Sequence, residues 1–459
     1  MATLMRTLRI LFQPKKSLRW YQASPTIFRR NIDAVEGFHV TSGSENVPQG
    51  RRRLDLTATV NLQVGNGNKP TRHQARKAWI ALRRKHPAMA SVIQGSKRVY
   101  YRMDHQERQA WLDETFVNVP GEHALTPEVL NRYKATSRPT MYFLEDAHMF
   151  ALRTPHYTMD GLGVFSLLGE YLAELGRIAN KEQNACFDEQ PSDLASCLEE
   201  AVQPTFPSPR QLLRLWRIRR NWLQSYPSIA IKPDKIDYSS ISSWKDLQFS
   251  NSETKCLLTR AKQNGLSLTH VAHAALIIGA MKHGVYPEGS NYTQMIVLNM
   301  RGRAADMSSH VKNIASTQHA IWPFTLPVST CLLDVAEQMK QIYMNAVGDP
   351  DLLSLAGPIF IEGMRTIPAS SHLFHSSPFV SSCGKLDNVI APSYGTLYVE
   401  NVSIMAEISQ EDIVAIVWSY KGQLTIRVFY NEGKHSASNI QRYIQLTGEV
   451  LKKGFDMTQ

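Results

Sequence analysis

The chain has 459 residues, more than one hydrophobic core usually organises, so we expect two packed units. The net charge of +11 is not gathered in one groove-like cluster interleaved with aromatic side chains, which argues against nucleic-acid binding, and no apolar run approaches the ~20 residues needed to cross a bilayer. Five cysteines without Cys-x-x-Cys spacing argue against a disulfide framework or a zinc site and indicate a reducing compartment.

The first 32 residues form a basic segment. They contain no acidic side chain before Asp33, and leucines are interspersed among the arginines and lysines. This composition is typical of an amphipathic targeting presequence. The alternative is a basic N-terminal arm or a first helix that lies on the domain. We expect a cytoplasmic protein, with a mitochondrial or other organellar location as the alternative.

The first half of the chain alternates between strand-like and helix-like patterns. Residues 54–62 alternate between apolar and polar side chains, which predicts a strand with one buried face. Pro87 ends the helix before it, because proline cannot continue a helix. The predicted strands are 38–42, 54–62, 91–93, 99–102 (at a sheet edge), 141–144 and 148–152, and the predicted helices are 71–86, 127–134 and 165 to about 180.

Residues 181–248 lose periodicity and gain prolines, so we interpret them as a crossover that carries one basic helix at 210–224. Beyond the crossover, Thr269 is the expected N-cap of an apolar helix, and Lys421-Gly422 the expected turn of a hairpin. The remaining predicted strands are 293–298, 314–322, 379–382, 396–405, 413–420 and 424–430, and the remaining helices are 252–264, 269–284, 332–346 and 436–453. The expected units are therefore a basic arm (1–32), an N-terminal lobe (33–180), the crossover (181–248) and a C-terminal lobe (249–459).

One short motif lies between a predicted strand and an apolar helix, and two further segments accompany it. The motif is His156-x-x-x-Asp160-Gly161. The two further segments are His86-Pro87 after a helix and Asn299-x-Arg301 at the end of a strand. The combination resembles the chloramphenicol-acetyltransferase-like acyltransferases, which include coenzyme A-dependent O-acyltransferases and peptide-synthetase condensation domains. The resemblance implies an α/β fold of two lobes, with mixed sheets, flanking helices and an interlobe tunnel that donor and acceptor enter from opposite faces.

The resemblance also implies roles for the residues of the motif. His156 would be the general base that removes the proton of an acceptor hydroxyl, a task that suits the ordinary pKa of histidine. Asp160 would orient the loop by pairing with an arginine, with Arg301 as the first candidate and Arg303 as the second. Gly161 would permit a tight turn and close approach of a ligand.

Further candidates lie in the second half. Asn299 is a structural candidate within its own motif. Ser381 and Ser382 resemble the family's small-residue strand beside the tunnel, where a hydroxyl would contact the tetrahedral oxyanion, and the alternative is that they are ordinary strand hydroxyls. Other histidines available as the base are His148, His310, His319, His372 and His375.

The sequence differs from two groups within this family. The Asp-Phe-Gly-Trp-Gly segment of plant members is missing, and Pro155 stands where the peptide-synthetase domains carry the first of two histidines. The chain is most similar to stand-alone fungal O-acyltransferases of secondary metabolism, such as the trichothecene O-acetyltransferases.

The resemblance thus implies transfer of an acetyl or other acyl group from coenzyme A to a hydroxyl of a terpenoid or polyketide. We expect a monomer with no metal and no permanently bound cofactor, for which acetyl-CoA or another acyl-CoA is the co-substrate. The alternatives are a cyclase or condensation-type enzyme of the same fold, and a binding protein without turnover.

Overall fold

A computed structural model describes residues 18–44, 51–64, 69–102, 104–180, 193–235, 241–303, 312–366 and 377–456. Most of the basic arm and three of the alternative bases, His310, His372 and His375, lie outside these residues. The strands are β1 Tyr21–Ser24, β2 Ile27–Asn31, β3 Leu56–Val64, β4 Val92–Gln94, β5 Lys97–Tyr101, β6 Phe116–Asn118, β7 Thr140–Leu144, β8 Met149–Thr154, β9 Ser242–Gln248, β10 Asn291–Asn299, β11 His319–Pro327, β12 Phe379–Lys385, β13 Ser393–Tyr394, β14 Leu397–Ala406, β15 Val414–Tyr420 and β16 Gln423–Asn431.

The helices are α1 Ala34–Ser44, α2 Arg72–Lys85, α3 His105–Thr115, α4 Pro127–Asn131, α5 Gly161–Ala179, α6 Leu198–Val202, α7 Pro209–Gln224, α8 Asn251–Gln263, α9 Leu268–His283, α10 Leu332–Val347, α11 Leu352–Thr366 and α12 Ala437–Gly454. Several begin with a capping box, in which the N-cap residue and the third helical residue exchange hydrogen bonds. Thr71 and Gln74 form one at α2, and Ser267 and His270 form one at α9. The N-cap predicted at Thr269 is therefore wrong by two residues, because the Ser267 hydroxyl accepts the N–H of His270 and caps the helix.

The largest sheet draws strands from both halves of the chain. Its order is β13-β14-β3-β8-β7-β6, and only β6 and β7 run parallel. β14 pairs with β3 from Leu397 opposite Val64 to Ala406 opposite Leu56. The second half thus completes the sheet that carries β8, the strand leading into the histidine motif. The boundaries proposed between lobes and crossover stay a prediction.

The second large sheet has the order β12-β15-β16-β9, with β12 parallel to β15. The hairpin turn predicted between β15 and β16 is confirmed, since Lys421 and Gly422 have φ of 49° and 78°, as a type I′ turn requires. The remaining strands form the sheet β1-β2-β5-β4 and the pair β10-β11. In that pair Asn299 lies opposite His319, so the register of the two strands brings together two residues named in the sequence analysis.

Three predicted strands differ from the structure. Residues 38–42 belong to the helix α1, whose first turn is fixed because Asp33 and Glu36 exchange backbone-to-carboxylate hydrogen bonds of 2.9 and 3.2 Å. The segment predicted at 99–102 is no edge strand, because β5 pairs with both β2 and β4. The strand predicted at 314–322 begins only at His319, after a single 3₁₀ turn at Lys312–Ala315.

Two hydrophobic cores flank a cavity. The first is built mainly from α2, α5 and the large sheet around β3, and the second from α9, α10, α12 and the strands β10, β11, β15 and β16. Leu56 and Ile404 of the first core and Ile321 and Ile413 of the second line the same cavity, which therefore lies between the two cores. In the part of the chain that the structure describes, no helix combines the length and the apolar character needed to cross a membrane.

Candidate active site

His156 lies in the tight turn between β8 and α5. The backbone of this turn is held by side chains from other segments. The Thr317 hydroxyl donates to the His156 carbonyl at 2.8 Å, and the Arg98 guanidinium donates to the carbonyl of Tyr157 at 3.2 Å. The imidazole therefore projects from a backbone that is fixed on both sides of its peptide unit.

Asp160 closes the turn as the N-cap of α5. Its carboxylate accepts the N–H groups of Gly163 at 2.9 Å and Gln318 at 2.7 Å, and Arg301 donates to both oxygens at 2.9 and 3.0 Å. Burial by itself raises the pKa of this carboxyl, but Arg301, His319 and the hydrogen bonds outweigh burial and hold the pKa at about 2. Asp160 is therefore ionised and fully occupied in fixing the loop.

The two candidate arginines have different surroundings. Arg301 forms the bidentate contact with Asp160, and its own N–H donates to the Asn299 side chain at 3.1 Å. Arg303 is exposed and donates to the carbonyl of Val347 at 2.7 Å. Asn299 thus shapes the backbone that presents Arg301, and Arg303 lies outside the aspartate pair.

The tightest packing in the motif is at Gly163. A Cβ atom there would lie 2.7 Å from the carbonyl oxygen of Ile314 and 2.8 Å from the guanidinium of Arg301. A Cβ atom at Gly161 would lie 3.5 Å from the sulfur of Cys383 and 3.8 Å from Cδ1 of Ile404, both ordinary contacts. Only glycine therefore fits at 163, whereas position 161 has room toward the cavity.

Two histidines from other segments pack against His156. His39 of α1 stacks on it, with ring centroids 3.9 Å apart and planes 6° apart. His319, the first residue of β11, is tilted against His156 at 5.4 Å, and its Nε2 lies 3.4 Å from Nε2 of His39. Burial, followed by the neighbouring imidazoles, lowers the pKa of His39 well below its usual range and that of His319 to about 3.

The imidazole of His156 is neutral near pH 7. Burial lowers its pKa below the ordinary value, although its own backbone and the Asp160 carboxylate partly oppose this shift. Nδ1 is buried, whereas the ring lines the cavity, which leaves Nε2 as the nitrogen available to a substrate. A neutral imidazole with an accessible nitrogen can accept a proton.

The cavity in front of His156 has a volume of about 240 Å³. Polar side chains such as Gln294, Asn299 and Gln318 also line it, and one charged pair in its wall, Arg53 with Asp412, is joined by a salt bridge. Most of the remaining surface is apolar, from Phe38, Leu54, Leu56, Leu162, Met295, Val297, Ile321, Phe360, Phe379, Ile404, Ile413, Val414 and Ile416. Such a wall favours an apolar ligand oriented by a small number of polar contacts.

Strand β12 brings three small polar residues to the same cavity. Ser381 and Ser382 both line it, and the Ser382 hydroxyl lies 2.9 Å from the hydroxyl of Thr269. Cys383 follows them, and burial raises the pKa of its thiol to about 12. The thiol is therefore protonated near neutral pH and lacks the thiolate that a nucleophilic cysteine needs.

Sequence reasoning named His319 only among other possible bases, and it missed His39. The missed signal is Asp33-x-x-Glu36, a capping-box pattern that predicts a helix start and would have placed His39 on a helix. His148 does not line the cavity. Among the described residues no three histidine, cysteine or acidic side chains are grouped so that they could hold a metal ion.

Comparisons with known proteins extend over nearly the whole chain, although no family model matches it. The chain is 22% identical to the O-acetyltransferase pigM of Monascus ruber over 454 residues, covering 95% of this chain and 87% of the relative. It is 20% identical to the acetyltransferase pigO of the same organism, with 94% and 97% covered. Among solved structures, the TRI3 trichothecene 15-O-acetyltransferase of Fusarium sporotrichioides superposes with a TM-score of 0.79 at 14% identity, covering 95% of this chain and 98% of that one.

The structural likeness shows the fold, and the two relatives carry the likeness to acetyltransferases at the level of sequence. The turn that bears His156, the Asp160–Arg301 pair and the cavity between two cores lie within the matched length. The chain therefore shares the fold of the trichothecene 15-O-acetyltransferase and is similar in sequence to two fungal acetyltransferases.

Proposed function

We propose that the protein is a coenzyme A-dependent O-acyltransferase that transfers an acetyl group to a hydroxyl of a terpenoid or polyketide secondary metabolite. The observation that carries the proposal is the neutral, loop-fixed imidazole of His156 at the wall of an apolar cavity. The acetyl group is supported by the two acetyltransferases of Monascus ruber and by the fold of the trichothecene 15-O-acetyltransferase.

In the proposed reaction His156 acts as general base. Nε2 takes the proton of the acceptor hydroxyl while that oxygen forms a bond to the thioester carbonyl carbon of acetyl-CoA. The tetrahedral intermediate then collapses, the carbon–sulfur bond breaks, and the imidazolium returns its proton to the departing thiolate. No covalent acyl-enzyme is needed, in agreement with the protonated state of Cys383.

The oxyanion of the intermediate needs a donor inside the cavity. Ser381 and Ser382 are the candidates, because both line the cavity on β12. The Ser382 hydroxyl can donate to the oxyanion while the Thr269 hydroxyl donates to it in turn, an arrangement that orients the donor before the charge develops.

The wall of the cavity supports this substrate class. Phe360, Ile321 and Ile404 belong to an apolar surface that suits an acceptor with few hydroxyl groups, whereas a sugar or a charged alcohol would leave more polar groups without partners. An apolar terpenoid or polyketide alcohol is the class that fits this surface.

The test is a thiol-release assay with purified protein, acetyl-CoA and a panel of terpenoid and polyketide alcohols. We expect release of free coenzyme A thiol that depends on the acceptor, and a fall of about 10²- to 10⁴-fold in His156→Ala, because a positioned base contributes that much. His273→Phe is the matched control, since His273 is a buried histidine that lies outside the cavity wall.

Absence of acceptor-dependent thiol release from the wild-type protein would contradict the transferase proposal. Equal release by wild type and His156→Ala would remove His156 as the base. Formation of a cyclised or condensed product without thiol release would favour an enzyme of the same fold with different chemistry.

A further inference from the structure

The cavity holds three imidazoles where the proposed chemistry uses one. Nδ1 of His39 and Nδ1 of His319 are buried and meet no hydrogen-bonding protein group in the described part of the chain. A buried polar atom without a protein partner lowers stability, so apolar side chains at these two positions would serve the fold better. Nε2 of His273 is buried without a partner as well, so the unpartnered nitrogen alone does not mark a functional group. What sets His39 and His319 apart is that both rings lie against His156.

The contact between His39 and His319 restricts both rings. Their Nε2 atoms are 3.4 Å apart, which is a hydrogen bond only when one nitrogen carries a proton and the other does not. The pair therefore shares one proton at this contact, and a second proton would bring two cations together in a buried place. This hydrogen bond fixes the plane of the His39 ring, and His156 lies parallel to that plane.

The helix that carries His39 is tied to the loop of the base. Glu36 lies one turn before His39 on α1, and its carboxylate accepts hydrogen bonds from Arg30 and Arg98, each at 2.6 Å. Burial raises the pKa of this carboxyl, but the two guanidinium groups outweigh burial and hold it at about 2. Arg98 also donates to the carbonyl of Tyr157. A buried charged network thus connects α1 directly to the residue after His156.

The segment that carries His319 is tied to the same loop. Thr317 donates to the His156 carbonyl, and the N–H of Gln318 donates to Asp160 at 2.7 Å. Three successive residues of this segment therefore touch the motif or its base. Both histidines that flank His156 lie on elements whose positions relative to the motif are set by hydrogen bonds.

We propose that His39 is a positioning residue for the general base: its ring, oriented by His319, covers one face of His156 and fixes the plane in which Nε2 meets the acceptor hydroxyl. This inference rests on the function proposed above. By covering that face, His39 also keeps water from the imidazole of His156 and so favours its neutral form.

Few other charges act on this cluster. Asp160 and Arg301 face it as a neutralised pair, and Arg53 is paired with Asp412 in the cavity wall. The remaining side chains in ring contact with His39 are Phe38 and Phe360, which carry no charge, and the thiol of Cys383 is protonated. Loss of the His39 ring is therefore the change that admits water to His156.

The test compares His39→Ala with His39→Phe in the full-length protein. Phenylalanine keeps a flat ring over His156, whereas alanine removes it. For His39→Ala we expect kcat to fall about tenfold to a hundredfold with little change in the KM of acetyl-CoA, because a small misplacement of a reacting group costs that much. The acidic limb of kcat/KM should move to higher pH. His39→Phe keeps a ring over His156 but loses the hydrogen bond to His319, so it should recover part of kcat and the wild-type pH profile.

A second readout does not depend on turnover. Nitrogen-15 NMR of labelled imidazoles, assigned with His156→Ala, follows the titration of His156 directly. We expect its pKa to rise in His39→Ala and to stay low in His39→Phe, with His273→Phe as the control that leaves the His156 signal unchanged.

Unchanged kcat and unchanged titration of His156 in His39→Ala would overturn the inference. Equal damage by alanine and phenylalanine would overturn it as well, because the stacked ring would then not be the feature that matters. If the wild-type protein transfers no acyl group, the proposed function fails, and the NMR titration still decides whether His39 controls His156.

Discussion

Buried histidines occur in two regions of this molecule with different consequences. His273 of α9 is buried in the second core, where its Nδ1 lies 3.3 Å from the hydroxyl of Tyr343 and its ring packs edge-on against Phe324. Burial lowers its pKa to about 3, and burial also lowers the pKa of His156. A lowered pKa therefore follows from burial alone. What distinguishes His156 is a nitrogen at the cavity and a ring held in place by neighbouring segments.

Among substitutions that test how the loop of His156 differs from the surroundings of His273, Arg301→Ala should have the largest effect. The change leaves the Asp160 carboxylate buried without its cation, and breaking a buried pair in this way costs about 3–5 kcal/mol in the free energy of unfolding. The loop of His156 loses its anchor at the same time, so turnover should fall. Urea denaturation and thiol release measure both effects.

Arg303→Ala is the matched control for Arg301→Ala. Arg303 is exposed and contacts only a backbone carbonyl of α10, so its removal should change the free energy of unfolding by no more than about 0.5 kcal/mol. Similar destabilisation by the two substitutions would show that the Asp160 pair does not support the loop.

A smaller effect should follow from Gly163→Ala. The new Cβ would be forced against the Ile314 carbonyl and the Arg301 guanidinium, and overpacking of this kind costs about 1–3 kcal/mol. Gly161→Ala makes only ordinary contacts and replaces glycine in the first turn of a helix, so it should change the free energy of unfolding by less than about 1 kcal/mol. Thermal unfolding of the two variants decides between these outcomes, and equal losses would contradict the close approach at Gly163.

The last effect is confined to acid pH, where the buried histidines of the two regions should lower stability alike. The pKa values of His273 and His319 are about 3 and that of His86 about 4, all lowered by burial, whereas an unfolded histidine titrates near 6.5. Below pH 6.5 the unfolded chain binds more protons, so the stabilising contribution of these groups is full above pH 6.5 and is lost as the pH falls toward 3. Asp33 opposes this trend, since burial and then Glu36 raise its pKa to about 7.

His273→Phe separates the two regions in this titration. Removing one histidine should flatten the decline of the unfolding free energy between pH 6.5 and 4, while the pH profile of turnover stays where His156 sets it. Urea denaturation at several pH values gives the first quantity, and the thiol assay gives the second. A shifted turnover profile in this variant would mean that the two regions are not independent.

Much of the fold could be predicted because its signals are local. The hairpin at Lys421-Gly422 and the helix after Asp160 follow from residues within a few positions of one another. The errors also have a local cause. Residues 38–42 alternate like a strand over too short a stretch to reveal a helical period, and the helix start at Asp33 lies outside that stretch.

The sequence by itself determined the turn that presents His156, through the proline before it, the N-cap carboxylate of Asp160 and a glycine at position 163 that leaves room for its neighbours. Only the tertiary structure decided which arginine meets that carboxylate, 141 positions away, and that His39 and His319 meet across 280 positions. The physical reason is that such contacts depend on strand pairing and on the packing of two cores, which no short-range pattern records. The base could therefore be named from its motif, whereas the rings that flank it could not.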